Sequence, residues 1–131
     1  MECIFALFMN KALISLGTNE DREVNLALCH QLLNNIFPEI HYSETSLTSP
    51  YGKTYINDFL NQLAVFYTDK EKEEIHDLLK SIEEQIGRHP SDKENGIIKI
   101  DIDLVIWNDE ILKPNDIKRS YVANLLPTLR K

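Results

Sequence analysis

The chain has 131 residues, 43% of them hydrophobic and 27% charged, which suits one soluble domain with a single core and argues against disorder. With 14 basic and 21 acidic residues the net charge is −7, which argues against a nucleic-acid surface, and no apolar run is long enough to cross a bilayer. Cys3 and Cys29 lack CxxC spacing and read as free thiols of a reducing, cytoplasmic setting.

Residues 1–8 are apolar but carry neither a basic flank nor a small-residue cleavage site, so they read as an N-terminal extension of a single domain, 1–131, rather than as a signal peptide. Residues 11–17 form a β-rich run that ends at the turn signal Gly17-Thr18-Asn19. Asn19 is expected to cap a helix running to about residue 35, with Val24, Ala27, Leu28, Leu32 and Ile36 facing the core and Pro38 marking its stop. A second strand is predicted over 40–46. Pro50 and Gly52 then make 48–53 a structured turn. The third strand covers 59–68, and its continuously apolar centre, 63–66, points to cover on both faces.

Thr68-Asp69-Lys70-Glu71 matches a capping box, and the helix after it carries one stripe of Ile75, Leu78, Leu79, Ile82 and Ile86 before Gly87. Its charged opposite face reads as solvated. Residues 91–96 are polar and loop-like. A fourth strand is predicted over 97–107, with Ile98, Ile100, Ile102 and Leu104 alternating with Lys99, Asp101 and Asp103. After Pro114 the chain reads as irregular, with a short helix over 121–126. The order β-α-β-β-α-β predicts an α+β, ferredoxin-like core: an antiparallel sheet with helices on one face. That fold hosts many functions and assigns none by itself.

Chemistry is most legible at Asp101 and Asp103. Two positions apart on a strand, their carboxylates leave the same face. Like charges so close repel unless a cation neutralises them, and Mg²⁺ takes carboxylate oxygens while keeping water and phosphate oxygens as further ligands. The alternative is an amphipathic strand whose aspartates merely face solvent, although Asp is disfavoured in strands. Arg88, just past the second helix, either grips phosphate or partners the helix C-terminus. Glu83 taken alone is an ordinary surface glutamate. His30, His41, His76 and His89 have no metal-ligand spacing, and there is no Walker loop.

Five fragments recur in order: Ile14-Ser15-Leu16-Gly17-Thr18-Asn19, Ser46-Leu47-Thr48-Ser49-Pro50-Tyr51-Gly52, Phe59-Leu60-Asn61-Gln62-Leu63-Ala64-Val65, Ile82-Glu83 to Gly87-Arg88, and Ile100-Asp101-Ile102-Asp103-Leu104. Together they resemble the strand-GSN, T-x-P-x-G, YLNAAV, IE…GR and LDLDI motifs of the 6-hydroxymethyl-7,8-dihydropterin pyrophosphokinase family. The resemblance implies Mg²⁺-dependent transfer of pyrophosphate from ATP to that dihydropterin in folate biosynthesis. It implies that Asp101 and Asp103 hold two Mg²⁺ ions and that Thr48, Pro50, Tyr51, Phe59 and Asn61 line the pterin pocket. It puts Glu83, Arg88, Leu104 and Arg119 on the ATP side. Residues 95–99 stand where the family carries W-x-P-R-T, so its arginine is absent and Lys99, on the face of the aspartates, is expected to serve beside Asp101, Asp103 and Arg88 as a point charge. Pro90 stands in place of a second arginine, and residues 108–131 form a shortened C-terminal region. Two expectations follow: an ATP-dependent pyrophosphokinase, or a catalytically impaired paralogue that binds a pterin or nucleotide.

Overall fold

A computed structural model describes residues 9–50 and 57–129. In chain order the elements are β1 (Asn10–Thr18), α1 (Arg22–Ile36), β2 (His41–Thr48), β3 (Phe59–Thr68), α2 (Lys72–Ile86), a 3₁₀ turn (Pro90–Asn95), β4 (Asp101–Trp107), β5 (Glu110–Ile111), α3 (Pro114–Ile117), α4 (Ser120–Leu125) and a last 3₁₀ turn (Leu126–Thr128). The strands form one sheet in the order β2-β3-β1-β4-β5, with every pairing antiparallel. The ferredoxin-like order read from the sequence is therefore the observed one, extended at one edge by the short β5.

Alternation along the strands sends neighbours to opposite faces. On one face Ile14, Leu16, Ala64, Phe66, Ile100 and Ile102 join residues of α1 and α2 in the main core. On the other, Leu13 and Leu63 meet Tyr121, Val122 and Leu125. The apolar run at 63–66 thus serves two cores, as expected. The short helix expected over 121–126 is observed as α4 and supplies the second core, while the stretch read as irregular also carries the single turn α3.

The predicted face of α1 holds in its second half, where Leu32 and Ile36 pack against the core, and fails in its first, where Val24, Ala27 and Leu28 are exposed. Asn25, Leu26, Cys29 and Leu33 are buried, whereas Val24 and Leu28 are 61% and 41% exposed. Apolar residues occupy two adjacent stripes of this helix, so periodicity alone selects neither. Cys29 is a free thiol whose pKa is pushed up to about 12, by burial first and then by the Glu83 charge. Cys3 and the apolar segment 1–8 lie outside the described residues.

Asn19 does not cap α1; Asp21 occupies that position with a left-handed backbone, φ 43°. The Asn19 side chain is committed elsewhere. Its Nδ2 donates to Gly96 O at 2.8 Å and its Oδ1 accepts from Ile98 N at 2.7 Å, while its own N–H donates to Ile98 O at 3.0 Å. These bonds hold residues 96–98 outside the ladder, so β4 begins at Asp101 rather than at Ile97. Residues 90–95 are a 3₁₀ turn rather than a loop, and His89 Nδ1 accepts from Ser91 N at its start. For α2 the expected stripe is the buried one, and Gly87 ends the helix at φ 108°. Its capping box lies one turn later than expected, on Glu71 and Glu74, because Thr68 Oγ1 accepts from Lys70 N instead.

Among the described residues no helix is long and apolar enough to cross a membrane. Asn19→Ala would leave Gly96 O and Ile98 N buried without partners. The expected loss is roughly 1–3 kcal/mol of unfolding free energy, read from urea denaturation.

Candidate active site

β4 has a partner strand on one side only over most of its length. β1 pairs with Asp101–Leu104, while β5 reaches only Ile106 and Trp107 on the other edge. The outward main-chain groups of residues 100–102 would be left without partners, and side chains from α2 and just beyond it take the place of a strand. Glu83 Oε2 accepts from Ile102 N at 2.7 Å, Lys80 Nζ donates to Ile102 O at 3.2 Å, and Arg88 Nη1 donates to Ile100 O at 3.3 Å. Ile102, the residue between the two aspartates, is thus clamped on both its N–H and its C=O.

Glu83, read from sequence alone as a surface residue, is buried, and its carboxylate also pairs with Lys80 at 3.2 Å and Arg88 at 3.1 Å. Helical spacing was the signal that could have revealed this: Glu83 adjoins Leu79 and Ile82 on the buried stripe. Arg88 completes the cluster with Asp101 Oδ1 at 2.8 Å.

The aspartates end up in unlike states. Burial pushes the Asp101 carboxyl up, but the hydrogen bond with Asp103 and the Arg88 guanidinium outweigh it and hold the group below its ordinary value. Asp103 is pushed up to about 7, by burial first and then by the charge and hydrogen bond of Asp101, with Lys80 offsetting only part of the rise. Arg88 is held charged: burial lowers its pKa, and the bond to Asp101 with the charges of Glu83 and both aspartates more than restores it.

Two cavities flank the pair. One, of about 170 Å³, lies over the sheet face of Ser15, Gly17 and Asn61, walled by Thr48 and Phe59 on one side and by Arg119 and Tyr121 on the other, and it includes Asp101 and Asp103. Tyr121 and Ser15 share a hydrogen bond of 3.0 Å across its floor. Asn61 Nδ2 is turned onto Thr48 Oγ1 at 2.7 Å, which fixes the amide plane. A second cavity, of about 370 Å³, lies between α2 and β4, lined by Lys72, His76, Lys80, Asp103, Leu104 and Lys113 among others.

Most residues marked in the sequence converge here. Thr48, Phe59, Asn61, Asp101, Asp103 and Arg119 line the first cavity, and Leu104 and Asp103 line the second. Arg119 lines the first cavity, beside Asp116 at 3.6 Å. Glu83 and Arg88 support the aspartates from behind and line neither cavity. Pro50 is half-buried and is not among the lining residues, and Tyr51 lies outside the described residues. Lys99 does not share the aspartates' surroundings. Because residues 97–100 leave the ladder, its Nζ turns to Gly87 O at 2.9 Å and to Asp92 at 3.4 Å. Lys80 is the supporting residue that sequence reasoning left without a role at the aspartates.

A search of curated proteins returns no match. The family model described as 7,8-dihydro-6-hydroxymethylpterin-pyrophosphokinase matches residues 13–131, a span that takes in the residues lining both cavities. On that match the chain belongs to the 7,8-dihydro-6-hydroxymethylpterin-pyrophosphokinase family, whose members transfer pyrophosphate from ATP to a hydroxymethyldihydropterin in folate synthesis.

Proposed function

We propose that this chain is itself a working pyrophosphokinase, which moves pyrophosphate from ATP to the hydroxymethyl group of 6-hydroxymethyl-7,8-dihydropterin with Mg²⁺ held by Asp101 and Asp103. The observation that carries the reading is that Asp103 forms part of the wall of both cavities. Two substrates in those cavities would meet at the aspartates.

The donor set suits a hard divalent cation. Two carboxylates share one face, and one of them keeps its proton to about pH 7 because burial and its neighbour disfavour a second negative charge. Among the described residues no third acidic, histidine or cysteine group joins them, which leaves the other coordination positions to water and phosphate oxygens. When bound, Mg²⁺ would neutralise charge on the transferred group. The chain's own part is positioning. Arg88 and the Ile102 clamp orient the carboxylates, Thr48 orients the Asn61 amide toward a heterocycle edge, and Phe59 offers apolar surface. Little covalent chemistry is asked of the protein. The free buried thiol of Cys29 suits a reducing, cytoplasmic setting.

A second reading, a paralogue that binds pterin or nucleotide without turnover, draws support from Lys99. Its commitment to Gly87 and Asp92 leaves the family's missing arginine without a replacement at that position.

AMP release from ATP, assayed with Mg²⁺, is expected to require the pterin. Asp101→Asn should cut the rate by about a hundredfold or more while the circular dichroism spectrum is retained. A well-folded wild-type protein that releases no AMP would favour the second reading. Gly17→Ala should fold normally, since its Cβ would meet Asn61 Oδ1 at 3.6 Å and Phe59 Cδ1 at 3.8 Å, both ordinary contacts. The added methyl narrows the first cavity, so KM for the pterin should rise about tenfold with KM for ATP unchanged.

Metal-free Asp103→Asn should melt above wild type by about 5 °C at pH 8. The folded-state pKa of Asp103 lies above its unfolded value. Its stabilising contribution is therefore complete below pH 4 and lost as pH rises toward and through 7, so the variant's advantage should shrink as the melting pH is lowered.

A further inference from the structure

Among the described residues the second cavity is lined by Lys72, Lys80 and Lys113, and of these Lys80 alone bonds the strand that carries the aspartates; the other cations near the aspartates are committed or face the first cavity. Arg88 Nη1 is shared among Asp101, Glu83 and Ile100 O, and the residue lines neither cavity. Lys99 is bound to Gly87 O and Asp92. Arg119 belongs to the first cavity. Lys72, in the second, pairs with Glu110 at 3.2 Å.

Lys80 differs. It lines the second cavity together with Asp103, its side chain is 38% exposed, and its charge acts on both aspartates. A lysine ammonium has three N–H donors. Two are directed at Ile102 O and Glu83 Oε2, both at 3.2 Å. The third has no partner among the described residues. The two bonds fix the nitrogen next to Ile102, the residue between Asp101 and Asp103, so the remaining donor is held in place at little further entropic cost.

We infer that Lys80 is a binding residue for the polyphosphate chain of the nucleotide, donating its third N–H to a β- or γ-phosphate oxygen beside Asp103. The identity of the ligand rests on the pyrophosphokinase reading; the spare donor at the cavity wall does not. Phosphate oxygens that complete a cation's shell at Asp103 would lie at the wall that this ammonium also lines, and a charge-assisted bond there is stronger than one between neutral groups. Lys80 would supply as a point charge what the missing arginine of the preceding segment does not. From sequence alone it belonged to the solvated face of α2.

The test is calorimetric titration of the full-length protein with Mg²⁺–ATP and, separately, with AMP, which lacks the β- and γ-phosphates. Lys80→Gln keeps a donor for Ile102 O and removes the charge. It should weaken ATP binding by about tenfold or more, leave AMP affinity within about twofold, and leave the melting temperature near wild type. Lys80→Arg should recover most of the ATP affinity. Equal losses for ATP and AMP, or unchanged ATP affinity in Lys80→Gln, would overturn the inference. AMP release is measured on the wild type alongside. ATP binding that depends on Lys80 without pterin-dependent AMP release would sink the pyrophosphokinase reading and keep the role of Lys80. No ATP binding by the wild type would sink both.

Discussion

A single buried carboxylate holds this site in shape. Glu83 is withdrawn from water, which costs several kcal/mol for an ion unless partners replace its hydration. Three replace it: the Ile102 N–H, the Lys80 ammonium and the Arg88 guanidinium. Each is also attached to the strand that carries the aspartates, through Ile102 itself, through Ile102 O or through Asp101. The geometry of α2 against β4 and the spacing of the two carboxylates are consequently one problem with one solution. Removal of Glu83 would leave the Ile102 N–H, Lys80 and Arg88 short of a partner at once, so the cluster tolerates its loss badly.

The same arrangement makes the two aspartates unequal. Arg88 sits on Asp101 and favours its ionised form, whereas Asp103 faces Asp101 at close quarters with less compensation. Asp103 is also the one that borders both cavities. The carboxylate at the junction is thus the one whose charge state responds to what arrives there, while its neighbour is tied to the scaffold.

Elements with one clear physical signal were legible in the sequence. The α2 stripe from Ile75 to Ile86, the Gly87 cap and the alternation of Ile100, Ile102 and Leu104 with the aspartates all hold in the structure. So does the strand order, because β-α-β-β-α-β leaves few topologies to choose from. Misreadings arose where a side chain had two plausible uses. Asn19 has the chemistry of a helix cap but bridges to residues 96 and 98, contacts 77 and 79 positions away that no local window contains. Lys99 obeys the strand alternation on paper, yet the strand starts two residues after it. In α1 two apolar stripes compete, and only the tertiary contacts choose between them. Asp101 and Asp103 were legible because their spacing alone puts both on one face; the clamp behind them was not, since it depends on how α2 docks.

The sheet's margins carry a consequence for the molecule among its neighbours. On β2, residues 43 and 44 bulge opposite Leu63, with Ser43 Oγ accepting the Leu63 N–H, and Thr128 Oγ1 from the C-terminal turn takes the outward Glu44 N–H. Beside β4 the side chains of α2 and of Arg88 just beyond it occupy the outward groups at 100–102. A strand arriving from another molecule would find both margins interrupted, one by a kink and the other by groups already bonded. The features that shape the site therefore also discourage these sheets from joining end to end as the protein is made and concentrated.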